Sequence, residues 1–138
     1  MFNSDISSYP PGRRITPNFR YGEFKCSCSE CHHSNHTKQS LIVKLQHARD
    51  VANDIVPGTK IRINSGYRCE ANNEAVGGTK TSSHLNGTAA DIRCTDIRTR
   101  GALLTGLRLA GFNRIGIGET FLHVDIDAGK TPNVTWLY

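Results

Sequence analysis

Two short segments of this 138-residue sequence carry histidine and carboxylate side chains at spacings that suit metal-assisted hydrolysis. His84 and Asp91 lie seven positions apart with Gly87 between them, so a loop turning into a strand would bring both to one point. Further along, His123 is followed two positions later by Asp125. Two histidines and one aspartate make a three-ligand zinc site with a fourth position left for water, which zinc activates while it polarises a carbonyl group. For His84 and Asp91 alone, the alternative is an ordinary hydrogen bond between a loop histidine and a strand-end aspartate.

Two more charged side chains, Glu119 and Arg68, lie near these segments in the sequence. Strand periodicity puts Glu119, His123 and Asp125 on one face, provided that the strand extends that far, while Val124 faces the core. Arg68 follows a predicted strand and a glycine, where it could bind a carboxylate through two parallel hydrogen bonds. A surface salt bridge is the alternative for Arg68.

Hydrophobic periodicity and turn residues predict the elements that would position these side chains. The fold class expected is α+β, with helices packed on a small antiparallel sheet that bears the zinc site. Residues 1–20 are expected as an irregular lead-in and residues 21–138 as the catalytic domain. The predicted elements are a helix over 38–55, a strand at 61–63, a mainly loop region over 65–86 with a helical turn near 70–76, a strand over 88–93, a helix from 95 or 96 to about 110 and a hairpin over 114–126.

Composition excludes some classes of protein. The formal net charge of +5 favours an anionic partner. The sequence lacks a basic run with interleaved aromatic residues, so it does not favour nucleic-acid binding. No apolar run approaches the roughly 20 residues of a membrane span. Residues 1–9 have neither a basic start nor an apolar run, so we expect synthesis in the host cytoplasm without a signal peptide.

Three of the five cysteines, Cys26, Cys28 and Cys31, form a cluster with nearby histidines. This cluster has enough soft ligands for a second, structural zinc ion, but we favour reduced cysteines in a small folded lobe. Cys69 and Cys94 flank the candidate site in sequence, and a disulfide between them is left open.

The motifs together resemble the zinc D-alanyl-D-alanine carboxypeptidase family. Its relatives include phage L-alanyl-D-glutamate endopeptidase lysins and, by fold, the hedgehog signalling domain. The resemblance covers about residues 20–138, and the pattern S-x-H-x-x-G-x-A-x-D is matched at each defined position from Ser82 to Asp91. The other shared motifs are Ser65-Gly66-Tyr67-Arg68-Cys69, Asn73, Val76-Gly77-Gly78 and His123-Val124-Asp125.

The resemblance implies a role for each matching residue. His84, Asp91 and His123 would be the ligands of one catalytic zinc ion. Arg68 would bind substrate and stabilise the oxyanion. Asn73 and Ser82 would contact substrate.

One position departs from the family pattern. Many relatives carry the general base three residues before the last zinc histidine, where this chain has Thr120. Glu119, one residue earlier, is our preferred base. Asp125 is the other candidate, and its alternative role is to orient His123.

The expected function is hydrolysis of peptide bonds in bacterial peptidoglycan stem peptides by a zinc metallopeptidase. The enzyme would be a monomeric phage or prophage endolysin that acts in the periplasm or cell wall. Cleavage between L-Ala and D-Glu and removal of the terminal D-Ala both remain open, and the lysin-like context favours the endopeptidase. The alternative is an inactive zinc-bearing wall-binding module or a phage structural protein.

Overall fold

The computed structural model describes residues 5–138, which form helices, short 3-10 helices and two sheets. The helices are α1 (Gln39–Ile55), α2 (Glu70–Ala75) and α3 (Ile97–Leu109). The strands are β1 (Arg14–Thr16), β2 (Phe19–Arg20), β3 (Ile63–Ser65), β4 (Ala89–Arg93), β5 (Arg114–Ile117), β6 (Phe121–Asp125) and β7 (Val134–Leu137). The 3-10 helices span Tyr21–Phe24 and Ser83–Asn86.

Helices α1 and α3 pack against each other and cover the sheet. Apolar residues at the predicted three- and four-residue spacing, Leu41, Leu45, Ala48 and Ala52, lie on the buried face of α1, whereas the predicted Ile55 at its end is exposed. Helix α3 begins after Asp96, whose side chain accepts a hydrogen bond from the amide of Arg98. The two helices approach closely at Gly106, where a Cβ would lie 2.4 Å from the Ala48 carbonyl oxygen. A glycine is therefore required at this crossing.

The larger sheet has the strand order β3-β4-β6-β5-β7. Its first three pairings are antiparallel, which confirms the predicted α+β fold with a small antiparallel sheet. The last strand, β7, pairs parallel to β5, although the sequence had indicated no strand there. The buried core lies between this sheet and the helices and includes Leu41, Leu45, Ile92, Leu103, Leu107, Ile115, Leu122 and Val124.

The N-terminal segment is more ordered than the irregular lead-in expected over residues 1–20, of which 1–4 lie outside the described residues. Strands β1 and β2 pair as a two-stranded sheet. Ile6 and Phe19 are each only 1% exposed and belong to the same core as the helices and the main sheet. Over residues 5–138, no helix has both the length and the apolar character needed to cross a membrane.

Candidate active site

Strand pairing brings two of the expected ligands together. Asp91 of β4 and His123 of β6 are direct cross-strand partners, so their side chains emerge side by side on one face of the sheet. His84 comes from the 3-10 helix before β4, and the chain turns between them at Gly87, which has a φ of 72°. A Cβ at this position would lie 1.9 Å from the His36 carbonyl oxygen. Gly87 is therefore essential to the return of the chain into β4.

His84, Asp91 and His123 form a group whose ligand atoms all lie within 4.8 Å of one another. Asp91 Oδ1 is 3.3 Å from His84 Nε2 and 2.9 Å from His123 Nδ1. Ligands at the usual zinc distances of about 2.0–2.2 Å are roughly 3.3–3.5 Å apart in a tetrahedron. The donor set and its spacing thus fit a zinc ion with little rearrangement.

The remaining nitrogen of each imidazole ring has a hydrogen-bond acceptor. His84 Nδ1 lies 2.7 Å from the Gly66 carbonyl oxygen, and His123 Nε2 lies 2.9 Å from Asp125 Oδ2. Each acceptor favours the tautomer in which its partner nitrogen carries the proton, which leaves His84 Nε2 and His123 Nδ1 free to bind a metal. The two rings are thus oriented for opposite nitrogens to face the same point.

The electrostatics of the site favour charged carboxylates. Burial alone would raise the pKa of Asp91, but hydrogen bonds from His123 and His84 outweigh burial and hold that pKa below its usual range. The same balance lowers the pKa of Asp125, through its hydrogen bonds with His123 and Arg114. Burial lowers the pKa of His123, but its hydrogen bonds to Asp125 and Asp91 prevail and raise that pKa overall. Two ionised carboxylates therefore flank the His123 ring and stabilise positive charge on it.

Arg68 reaches the site from the loop after β3. Its guanidinium group donates from Nη2 to Asp91 Oδ2 at 3.3 Å and from Nε to Ser65 Oγ at 3.0 Å. Asp91 thus directs Oδ1 toward the histidines and Oδ2 toward Arg68. The Arg68 side chain is only 16% exposed, so its orientation is well restrained. Arg68 also lines the cavity over the three ligands.

That cavity has a volume of about 390 Å³. Ser82 lines it and also caps the 3-10 helix, since its hydroxyl accepts a hydrogen bond from the amide of His84. Asn73 does not line it. The Asn73 side chain is buried and donates a hydrogen bond to the Thr79 carbonyl oxygen at 2.8 Å, so it supports the loop of the rim from below.

The structure separates the two candidates for the general base. Glu119 is exposed in the turn between β5 and β6 and does not line the cavity. Strand β6 begins only at Phe121, so the strand periodicity that would align Glu119 with His123 does not extend that far. Asp125 lines the cavity, but its side chain is fully buried and engaged by His123 and Arg114. Its position fits the alternative role of orienting His123.

Several side chains that line the cavity were not predicted from the sequence, among them Arg114, Lys130 and Tyr138. Arg114 donates from Nε to Asp125 Oδ1 at 2.7 Å and lies against the Trp136 ring. Continuing the β5–β6 register by one residue from Ile115 and Val124 places Arg114 opposite Asp125, so the predicted hairpin contained this information. No local pattern indicates Lys130, which follows the end of β6 and donates to Ser83 Oγ at 2.9 Å.

The sequence matches a known peptidase family over most of its length. A sequence model of the family described as peptidase M15 matches residues 17–127, which is most of the chain. A search of curated proteins finds no match. The chain therefore belongs to the peptidase M15 family, and the resemblance to zinc D-alanyl-D-alanine carboxypeptidases is confirmed.

Proposed function

From this membership of a peptidase family, we propose that the protein is a zinc-dependent peptidase that hydrolyses peptide bonds in bacterial peptidoglycan stem peptides. One observation carries the proposal. Three ligand atoms from His84, Asp91 and His123 converge within 4.8 Å beneath a cavity, while the other nitrogen of each ring is held by an acceptor. Hydrolysis of an unactivated amide needs a strong electrophile and an activated water molecule, and zinc in a three-ligand site supplies both when bound.

Three side chains around the zinc ligands have separate roles in this proposal. Asp125 accepts a hydrogen bond from Nε2–H of His123 and so keeps Nδ1 available as a ligand. Arg68 shares Asp91 with the metal site and lines the cavity, where its remaining donors can bind a carbonyl or carboxylate oxygen of substrate. An Arg donor aimed at the oxygen that gains negative charge stabilises the transition state. Ser82 is positioned on the rim to contact the peptide backbone.

The charge around the cavity supports a substrate that carries carboxylates. Arg68 and Lys130 both line it, and stem peptides present carboxylates on D-Glu and at their C-terminus. The net charge of +5 also favours residence on an anionic wall. We propose that the enzyme acts as an endolysin of a phage or prophage, in the periplasm or cell wall.

The test is digestion of purified peptidoglycan followed by mass spectrometry of the released fragments. A new amino group on D-Glu identifies an L-Ala–D-Glu endopeptidase, whereas free D-Ala identifies a carboxypeptidase. His84→Ala is the matched inactive variant, because it removes a ligand atom from the same fold. A wild-type protein that binds zinc but releases neither product from several wall types would support an inactive wall-binding module instead.

Among residues 5–138, one observation favours that second candidate. The cavity is lined by two carboxylates, Asp91 and Asp125, and both are already engaged by other side chains. A family member without an available proton acceptor would hold zinc and bind peptide without turnover. The digestion assay separates the two functions directly.

A further inference from the structure

A second group of metal-ligating side chains lies outside the site described above. The Sγ atoms of four cysteines, Cys26, Cys28, Cys31 and Cys69, all lie within 4.8 Å of one another. Cys28 is central: its sulfur is 3.3 Å from those of Cys31 and Cys69 and 3.6 Å from that of Cys26. Cys26 and Cys69 are 3.8 Å apart. Three of the ligands come from one short loop and the fourth from the loop that carries Arg68.

These distances match a metal site with four thiolate ligands. Four thiolates about 2.3 Å from a tetrahedral zinc ion are roughly 3.8 Å from one another, close to the separations observed here. A disulfide requires about 2.05 Å between sulfurs, and all five cysteines of the chain are free. A single disulfide would leave two thiols of the cluster unpaired, whereas one metal ion uses all four.

The backbone around the cluster forms a closed loop that holds two residues in an unfavourable conformation. Cys26 and Ser34 close the loop through an amide-to-carbonyl hydrogen bond of 2.8 Å, and His32 and His33 both adopt left-handed conformations with φ near 55°. Two consecutive non-glycine residues in this region are costly unless other interactions fix the loop. Two backbone amides also donate hydrogen bonds to sulfur. The amide of Cys69 lies 3.5 Å from Cys26 Sγ, and the amide of Asn72 lies 3.4 Å from Cys69 Sγ.

The nearby histidines are not needed as ligands. His33 Nδ1 lies 3.1 Å from the Cys26 carbonyl oxygen, and the His36 ring packs edge-on against Tyr67 with centroids 5.0 Å apart. Cys94 is buried and lies outside the cluster. The disulfide between Cys69 and Cys94 that the sequence had left open is not formed.

We propose that Cys26, Cys28, Cys31 and Cys69 bind a structural zinc ion, which holds the loop after β3 against the N-terminal part of the domain. The loop after β3 meets that part closely. The amide of Tyr67 donates to the Phe24 carbonyl oxygen at 2.8 Å, and a Cβ on Gly66 would lie 2.6 Å from the same oxygen. Gly66 holds His84, and Arg68 holds Asp91. A metal at Cys69 therefore fixes the residues that orient two catalytic ligands.

The test counts metal ions and identifies their ligands without any peptidase assay. Protein is purified under reducing conditions without chelators, zinc per chain is measured by mass spectrometry, and the ligand atoms are identified by X-ray absorption at the zinc edge. We expect two zinc ions in the wild type, one of them with a shell of sulfur neighbours at about 2.3 Å. Cys69→Ser should lose one zinc ion together with the sulfur shell. His84→Ala should lose one zinc ion but keep the sulfur shell. The matched control Cys94→Ala should keep both.

The proposal and the peptidase function fail separately in this design. One zinc ion with only nitrogen and oxygen neighbours in the wild type, or a disulfide among the four cysteines, overturns the structural zinc site and leaves the catalytic one standing. Iron at the thiolates overturns the identity of the metal. If Cys69→Ser does not fold, the wild-type spectrum still decides, because it reads the ligands directly.

Discussion

Replacing Asp125 with asparagine tests how the site selects the metal-binding form of His123. Asp125 offers acceptors to His123 Nε2 at 2.9 Å and to Arg114 Nε at 2.7 Å, and it also accepts from the amide of Asp127 at 3.2 Å. Asparagine has one acceptor oxygen, which the two donors on the Arg114 side would occupy. Its NH₂ group would then face His123 Nε2. The ring would be driven to the tautomer with its proton on Nδ1, directed at the metal position.

The expected size of the effect follows from the same contacts. Loss of an outer partner of a metal-bound histidine costs roughly 10–100-fold in metal affinity or activity, or about 1.4–2.7 kcal/mol. Asp125 is fully buried beside Arg114, whose side chain is 12% exposed, so the exchange also removes a buried ion pair. Breaking such a pair costs about 3–5 kcal/mol, and we expect the lower end because asparagine keeps one hydrogen bond to Arg114.

Zinc affinity is measured by competition with a chromophoric chelator at fixed pH, and stability by denaturant titration of the zinc-free protein. Glu119→Gln is the matched control, since it makes the same chemical change four positions before His123. Zinc affinity and hydrolysis rate of the control should lie within about threefold of the wild type. Loss of a general base would instead lower the rate by roughly 10²–10⁴-fold. Wild-type zinc affinity in Asp125→Asn would refute the tautomer argument. Loss of turnover in Glu119→Gln with zinc retained would show that Glu119 reaches the site during catalysis.

Four further substitutions test the scaffold and the cavity. Gly87→Ala should lower the free energy of unfolding by more than about 2 kcal/mol in denaturant titration, because the left-handed φ and a 1.9 Å backbone clash both oppose it. Gly101→Ala, in an open helical position, should instead raise it by about 0.5–1 kcal/mol, and equal effects at the two glycines would contradict the assignment. Arg68→Lys should reduce hydrolysis by roughly 10²-fold with zinc content unchanged, as a lysine cannot hold Asp91 and present a second donor to substrate; full activity would remove Arg68 from the mechanism. Burial raises the pKa of Tyr21 from 10.0 to about 12, so the contribution of the protonated Tyr21 side chain to the free energy of unfolding is complete below pH 10 and is lost as the pH rises toward 12. The difference in free energy of unfolding between wild type and Tyr21→Phe should therefore shrink across that interval, and a constant difference would contradict the shift.

Local pattern accounts for most of the secondary structure and for the turn between His84 and Asp91. The periodic apolar residues of α1, the Asp96 cap of α3 and the alternation around Val124 each determine an element through interactions between close neighbours in the chain. The spacing of His84 and Asp91 similarly predicts a loop that returns into a strand. That return depends on Gly87, whose conformation a glycine adopts without strain.

Features that depend on long-range pairing could not be read from the sequence. Asp91 meets His123 only because β4 pairs with β6, and no local pattern specifies which strands are neighbours. The same applies to Cys69, which joins three cysteines about 40 residues earlier, and to β7, which adds parallel to β5. The placement of Glu119 differs from the expected strand face for another reason: the alternation in the sequence extends back to Glu119, but the hydrogen-bonded strand β6 begins only at Phe121.

The most direct test of the central claim combines zinc removal with peptide cleavage. Purified protein is stripped with a chelator, assayed for release of amino groups from peptidoglycan, and assayed again after one zinc equivalent at a time is returned. We predict that cleavage is lost on removal, recovers when the site of His84, Asp91 and His123 is refilled, and never recovers in His123→Ala. Cleavage that persists in the metal-free protein, or in His123→Ala, would contradict the account.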